Sequence, residues 1–171
     1  MKKVAILTQP LHSNYGGNLQ NFALQKVLKD MGFEPLTIDR HLTITLRKKL
    51  KLSYFKRLAL HFLKGTAKPN FRDYFSKSKD KMDRGHVVSF IETYVNKTLR
   101  LYSDQAVQKA FLENKFDVVI VGSDQCWRPI YSPNINTYFL DFLENDRSIK
   151  KIAYAASFGT DEWEFNEQKT Q

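Results

Sequence analysis

The chain has 171 residues, 42% of them hydrophobic, which is enough apolar material for one ordinary globular domain. Its single cysteine, Cys126, excludes a disulfide framework or a zinc site built on several thiolates, and is typical of a reducing compartment. No stretch of the sequence approaches the roughly 20 apolar residues of a membrane-spanning helix. The composition therefore predicts a cytoplasmic globular protein.

The net charge of +9 is concentrated in one segment. Residues 40–100 carry 16 Lys and Arg against 4 Asp and Glu, a net of +12, and the other residues carry 11 against 14, a net of −3. This distribution argues against a general nucleic-acid-binding protein, so we expect no nucleic acid as a partner. It favours a local contact with something anionic, unless the charges only form a solvated helix face.

The first 39 residues predict a strand over Val4–Thr8, a helix over Asn18–Met31 and a second strand over Leu36–Asp39, which form a parallel βαβ unit. Asn18 is the predicted N-cap of the helix, and Gly32 follows its end. The predicted core-facing stripe is Leu19, Ala23, Leu24, Val27, Leu28 and Met31. The predicted solvated side is Gln20, Asn21, Gln25, Lys29 and Asp30.

Two further continuous apolar runs, FDVVIVGSD and KKIAYAASFG, predict strands that are covered on both faces and end near Gly122 and Gly159. Between about residues 42 and 96 the alternation of strands and helices stops. There an apolar stripe with basic flanks predicts a helical insertion: Leu46, Leu50, Tyr54, Leu58 and Phe62. The sequence thus predicts a single α/β domain over residues 1–171, with a Rossmann-like, doubly wound parallel sheet and a basic insertion.

Each strong strand is followed by a different polar segment, and ligands of doubly wound sheets bind beyond the carboxyl ends of the strands. After the first strand, the predicted ligand-binding residues are Asn14, Tyr15, Gly16, Gly17 and Asn18. Gly16 and Gly17 are expected to permit positive φ and close backbone approach, and Asn18 to open a helix that attracts anions. The alternative is that these residues only form a tight turn.

The strand that ends at Gly122 is followed by the more specific string GSDQCW. Its candidate ligand-binding residues are Ser123, Gln125 and Trp127, and the indole offers a platform for a sugar ring. Asp124 is the candidate catalytic base, although it alternatively acts only as a turn or cap residue. Cys126 is expected to be a packing residue. Ser157 and Gly159 are the candidates after the last strand.

Known cofactor motifs do not fit the sequence. The dinucleotide fingerprint and the P-loop are both absent, which excludes a site of either type for NAD or a nucleotide. The four histidines show no metal-ligand spacing, so no metal is expected, and only His12 lies in a candidate site loop.

Three strings together carry a resemblance: NYGGNLQNFALQKVLKDMG, DVVIVGSDQCWRP and YFLDF…KKIAYAASFGT. In this order they resemble the polysaccharide pyruvyl transferase family, especially its bacterial members. The resemblance implies one half of an architecture similar to B-type glycosyltransferases. It implies transfer of pyruvate from phosphoenolpyruvate, as donor substrate without a cofactor, to a surface-polysaccharide sugar that becomes a ketal. It also implies a sugar or lipid-linked saccharide acceptor, and a basic insertion in peripheral contact with the anionic inner face of the membrane.

The sequence departs from the family in length, since members are roughly twice as long. We therefore expect a fragment that lacks a C-terminal Rossmann-like domain, with an incomplete donor site, no activity alone and an acceptor-side role. Two alternatives are a non-catalytic binding module for an anionic partner and a glycosyltransferase-like half that uses an activated sugar.

Overall fold

The computed structural model of the protein describes residues 1–41, 63, 80–161 and 163–165. In chain order its elements are β1 (Lys3–Leu7), α1 (Tyr15–Asp30), β2 (Glu34–Thr37), α2 (Asp80–Tyr94), α3 (Asp104–Asn114), β3 (Val118–Asp124), α4 (Ile135–Tyr138), a short 3₁₀ helix (Asp141–Leu143) and β4 (Lys150–Ala156). The predicted apolar stripe from Leu46 to Phe62 lies outside the described residues. Of the predicted insertion, α2 and the residues that follow it are described.

The four strands form one parallel sheet in the order β2, β1, β3, β4. The register pairs Ala5 of β1 with Leu36 of β2 and with Val119 of β3. The predicted parallel βαβ unit and the α/β Rossmann-like class are therefore confirmed. The positions of these strands bring the carboxyl ends of β1, β3 and β4 next to one another.

The central strands are buried on both faces, as their continuous apolar runs predict. On one face, Ala5 and Leu7 of β1 pack with Val107 and Phe111 of α3. On the other face, the alternate β1 residues pack against Leu28 of α1. Because successive strand residues point to opposite faces, one apolar strand contributes to both layers of the core.

The strand β4 differs from its prediction. All seven of its residues are exposed or only partly buried, and Tyr154 is 54% exposed. Among the described strands, β4 pairs with β3 alone and so forms an edge of the sheet. A continuous apolar run indicates a strand, but its burial depends on neighbours that the run does not specify.

The buried face of α1 was predicted wrongly. Its most buried residues are Asn18, Asn21, Gln25 and Leu28, whereas Leu19, Val27 and Met31 are more than half exposed. Of the predicted stripe, Leu28 is buried and Leu24 partly buried against the sheet. The helix stops at Asp30, one residue before the predicted end at Met31. Gly32 follows this end, as predicted, with a φ of +84°.

Hydrogen bonds explain why amides occupy the interior side of α1. Gln25 Nε2 donates to Thr37 Oγ1 at 2.7 Å and to Asn96 O at 2.6 Å, and Asn96 N–H donates back to Gln25 Oε1 at 3.0 Å. Thr37 Oγ1 in turn donates to Asn21 Oδ1 at 2.9 Å. These bonds tie the helix to β2 and to the segment that runs along the outer edge of β2. Most of the buried polar groups therefore have partners, although Asn21 Nδ2 has none among the described residues.

Candidate functional site

Asn14, rather than the predicted Asn18, caps α1. Asn14 has an extended backbone, and its Oδ1 accepts from Gly17 N–H at 3.2 Å. Asn18 is instead buried in the first turn, where its Nδ2 donates to His12 O at 2.7 Å. The helix therefore begins at Tyr15, closer to β1 than predicted, and residues 8–14 connect the two elements.

The two glycines of this turn do not adopt the expected positive φ, because both lie in the first turn of α1. A Cβ on Gly17 would lie 2.9 Å from Asn14 Nδ2, which is closer than real Cβ atoms approach. A Cβ on Gly16 would make an ordinary contact at 3.6 Å with the same side chain. Gly17 thus makes room for the cap. Tyr15, at 54% exposure, lies on the surface beside it.

His12 is exposed to solvent, yet hydrogen bonds fix its ring and the backbone around it. Asn14 N–H donates to His12 Nδ1 at 3.2 Å, and Asn18 fixes the His12 carbonyl as described above. Leu11 N–H, just before it, donates to Asp39 Oδ1 at 3.3 Å. Partial burial of the ring and the charge of His41 lower the pKa of His12 from its ordinary value, while Asp39 acts in the opposite direction.

A buried acid and histidine pair lies beyond β2, next to this turn. Asp39 is 1% exposed and His41 9%, and His41 Nε2 lies 2.7 Å from Asp39 Oδ1. The main chain of Asp39 is held by Thr98 Oγ1, which accepts from its N–H, and by Leu101 N–H, which donates to its carbonyl. Sequence reasoning missed this pair. Its only signal is an acid at a strand end with a histidine two residues later.

The end of β3 is shaped by close backbone approach. Gly122 has a φ of +132°, and a Cβ there would lie 1.9 Å from Tyr154 O of β4, so only glycine fits. The next peptide bond, to Ser123, is cis. Ser123 Oγ donates to Gln20 Oε1 at 3.1 Å, which links the β3 end to α1.

Asp124 is half-buried at this strand end, with a φ of +76°. Its main-chain carbonyl accepts from Cys126 N–H at 2.8 Å and from Ser157 N–H at 3.0 Å. Within the described residues its carboxylate has no hydrogen-bond partner. The side chain therefore caps neither a described helix nor a described turn.

The remaining predicted residues meet where β3 and β4 end. Trp127 N–H donates to Ser157 O at 3.2 Å, and Gly159, with a φ of +68°, packs against the side chain of Gln125. The Trp127 ring stacks on Phe139 at 5.9 Å and donates through Nε1 to a main-chain carbonyl. Trp127 is therefore a packing residue in part, rather than an open platform.

An exposed indole at the same junction belongs to Trp163, which is 61% exposed and was not singled out from the sequence. Its ring lies 5.8 Å from Phe158 and 4.9 Å from Phe165. Next to it, Arg128 makes a two-pronged ion pair with Glu164 at 2.7–3.1 Å, which holds the pKa of that carboxyl below its ordinary value. Arg128 also reaches Gln125 Oε1 at 3.2 Å.

A cavity of about 390 Å³ lies near the β2 and β3 ends, lined among others by Arg40, Tyr102, Asp104 and Asn134. Arg40 is nearly buried, and its Nη2 lies 3.0 Å from Asp104 Oδ1. Burial opposes ionisation of Asp104, but hydrogen bonds from Asn134, Thr137 and Arg40 outweigh it and lower the pKa of Asp104. Because the two charges already neutralise each other, the cavity has no excess charge from this pair.

Cys126 packs in the core, as predicted. It is fully buried, and burial raises the pKa of its thiol to about 11, so the thiol is protonated at neutral pH. Among the described residues, no three His, Cys, Asp or Glu side chains are grouped so that they could hold a metal ion. None of the described helices has the length and apolar character needed to cross a membrane.

An all-parallel sheet flanked by helices, with polar side chains at the carboxyl ends of neighbouring strands, defines an α/β protein of Rossmann-like type. Residues 14–170, nearly the whole chain, match the polysaccharide pyruvyl transferase family. The chain belongs to that family, which is a family of transferases. No curated protein and no solved structure matches it.

Proposed function

We propose that the protein transfers a pyruvyl group from phosphoenolpyruvate to a saccharide and forms a cyclic ketal across two hydroxyls, with this domain on the acceptor side. Family membership supports the reaction class. The observation that carries the site is the Asp124 carboxylate, half-buried at the carboxyl end of β3 and without a hydrogen-bond partner in the described chain. Such a group is available for a ligand hydroxyl.

The proposed reaction sets clear demands. A proton adds to C3 of phosphoenolpyruvate, turning the methylene into a methyl group and leaving a cationic centre at C2. One sugar hydroxyl adds to C2 and gives up its proton. The bond from C2 to the phosphate oxygen then breaks with its electron pair on phosphate, and the second hydroxyl adds and loses its proton. The products are the ketal and inorganic phosphate.

In this scheme Asp124 is the base that accepts a proton from an attacking hydroxyl. Ser123, the neighbour of Asp124, contacts Gln20 of α1, so the end of β3 lies close to this helix. One saccharide can therefore contact both Asp124 and the turn before α1. The predicted residues Asn14 to Gly17, together with Ser123, Gln125 and the exposed part of Trp127, line the acceptor side, and the buried Asn18 supports this turn from behind. Ser157 and Gly159 shape the floor through their contacts with Trp127 and Gln125.

A second Rossmann-like domain is proposed to face this edge and complete the donor site. The exposed apolar side chains near the β3–β4 junction support it: Ile130 at 63%, Tyr131 at 46%, Phe139 at 48% and Trp163 at 61%. Phe139 and Trp163 both pack against Phe165, and contiguous exposed apolar surface of this kind marks an interaction site. On this proposal, the chain without that domain binds the acceptor, but it transfers pyruvate only when that domain is present.

The test uses phosphoenolpyruvate labelled with ¹³C at C2, mixed with candidate surface saccharides, both free and lipid-linked. The assay contains the chain alone or together with a C-terminal domain of a family member. We expect a new ketal carbon signal and one equivalent of inorganic phosphate when both domains are present. Two results would contradict the proposal. One is recovery of the ¹³C label only in free pyruvate, and the other is sugar transfer from an activated sugar in a parallel reaction.

A further inference from the structure

An exposed histidine ordinarily samples several orientations, because fixing a solvent-exposed side chain costs conformational entropy. His12 is fixed nonetheless. Its ring accepts from Asn14 N–H, its carbonyl accepts from the buried Asn18 side chain, and the preceding amide is held by the buried Asp39. This arrangement makes His12 a preorganised side chain at the carboxyl end of β1.

The hydrogen bond to Nδ1 also selects the tautomer. Since Nδ1 accepts the Asn14 N–H, the neutral ring carries its proton on Nε2. The Nε2–H is a donor, so the partner that it can bind is an acceptor oxygen. Among the substrates of the proposed reaction, the strongest acceptors are the phosphate and carboxylate oxygens.

The surroundings keep this donor neutral and oriented. The charged groups that act on His12 are His41 and, in the opposite direction, Asp39, and Arg100 lies behind this pair with its Nε 4.0 Å from Asp39 Oδ2. Partial burial of the ring and His41 lower the pKa of His12. A neutral imidazole donor can polarise a substrate oxygen without carrying a full charge.

We propose that the Nε2–H of His12 is a hydrogen-bond donor to an oxyanion of the bound substrate, and that the buried Asp39–His41 pair is the positioning element that holds the His12 turn. The substrate class, phosphoenolpyruvate or a part of it, rests on the proposed function. The hydrogen-bond donor itself rests on the contacts of His12 alone.

The first test is ¹⁵N-histidine NMR of the 171-residue chain without ligand. We expect His12 as the Nε2–H tautomer with a pKa below that of a free histidine. Asp39→Ala removes the acceptor of Leu11 N–H and of His41 Nε2, so it should release the turn and give a mixture of His12 tautomers. A mixture of tautomers in the wild type, or a single unchanged tautomer in Asp39→Ala, would overturn the proposal.

The second test adds phosphoenolpyruvate, inorganic phosphate or pyruvate to the two-domain protein, which is the chain together with a C-terminal domain of a family member that completes the donor site. Binding of an oxyanion to His12 should shift its Nε2 signal saturably and raise its pKa, because a nearby anion favours the protonated ring. A response to inorganic phosphate identifies the phosphate as the partner, and a response to pyruvate identifies the carboxylate. A His12 signal that none of the three moves would overturn the proposal.

The matched variants are His12→Gln, which keeps an N–H near the position of Nε2, and His12→Asn, which does not. We expect His12→Asn to weaken phosphoenolpyruvate binding by about tenfold or more and His12→Gln to recover part of the loss. Equal affinity of His12→Asn and the wild type would overturn the proposal. The wild-type spectra test it independently if a variant does not fold.

Failure of the proposed function looks different. A His12 signal that responds to phosphoenolpyruvate, in a two-domain protein that forms no ketal, contradicts pyruvyl transfer and leaves the donor role of His12 intact. Ketal formation with an unchanged KM for phosphoenolpyruvate in His12→Asn contradicts the donor role and leaves the proposed function intact.

Discussion

The two ends of the candidate site are stabilised by different interactions. At the β1–β2 end, buried polar groups such as Asp39 and Asn18, 1% and 3% exposed, hold the turn through hydrogen bonds. At the β3–β4 junction, Gly122 allows close backbone approach, Gly159 leaves room for the Gln125 side chain, and aromatic rings 4.9–6.1 Å apart fill the surface. The first end is a directional network, and the second is packing around a backbone contact.

This difference has a physical consequence. A buried hydrogen-bond network tolerates little change, because a group that loses its partner remains buried and unsatisfied. Aromatic packing at a half-exposed junction adapts more readily, except where the backbone itself leaves no room. The two ends should therefore respond differently to substitution.

The largest effect is expected at the backbone contact. Gly122→Ala would place a Cβ 1.9 Å from Tyr154 O at a φ of +132°, so β3 and β4 would have to separate. We expect a loss of about 4 kcal/mol or more in the free energy of unfolding, measured by denaturant titration. Gly85→Ala in α2, where a Cβ meets nothing within 4 Å, is the control and should stabilise by about 1 kcal/mol. Equal stability of the two variants would refute the close approach.

The next effect is at the buried acid. Asp39→Ala leaves His41 Nε2 and Leu11 N–H without their acceptor, and we expect a loss of about 3 kcal/mol. The control is Asp117→Ala, at an exposed acid that accepts only Lys3 N–H in the described structure, for which about 1 kcal/mol or less is expected. Thermal unfolding of both variants checks the contrast, and a cost at Asp39 no larger than at Asp117 would argue against a tight network.

A smaller effect on stability is expected at Asn14, the N-cap of α1. Asn14→Ala removes the acceptor of Gly17 N–H, and we expect a loss of about 1 kcal/mol. Asn14→Ser, which keeps a capping oxygen, should recover most of that loss in the same denaturant titration. If Asn14→Ser were as unstable as Asn14→Ala, the capping assignment would be wrong.

The smallest effect on stability is expected in the basic segment that follows β2. Neutralising Lys48, Lys49, Lys51, Lys56 and Arg57, which lie outside the described residues, should leave unfolding almost unchanged but remove binding to anionic vesicles. Each charge near such a surface contributes about 1 kcal/mol, and salt should weaken the wild-type binding. Sedimentation of the wild type equally with neutral and anionic vesicles at low salt would leave these residues a role in solubility alone.

The sequence predicts the sheet better than the surface of its helices. The runs around Val4 and Val119 specify strands because they are buried on both faces, and both are confirmed. Apolar periodicity misplaces the buried face of α1, because Asn21 and Gln25 satisfy polar groups near β2 that are remote in sequence. The N-cap of α1 was misplaced for a similar reason. Asn14 and Asn18 are both residues that can cap a helix, and the contact that buries Asn18 cannot be read from residue order.

The site shows the same limit. The polar strings after β1, β3 and β4 can be predicted to share one edge, because parallel neighbours end together. The pairing of Asp39 with His41, and the fixed ring of His12, depend on contacts between the turn after β1 and the segment after β2. Residue order alone does not reveal that these two segments meet.

The most direct test of the proposed reaction is the turnover of Asp124→Asn in the two-domain protein. The amide keeps the size of the side chain, and the carboxylate makes no hydrogen bond to the described residues, so the melting curve should not change. We predict that kcat for ketal formation falls by about 10²-fold or more, because the base for the attacking hydroxyl is lost. An unchanged kcat would contradict the assignment of Asp124 and, with it, the acceptor site proposed at the end of β3.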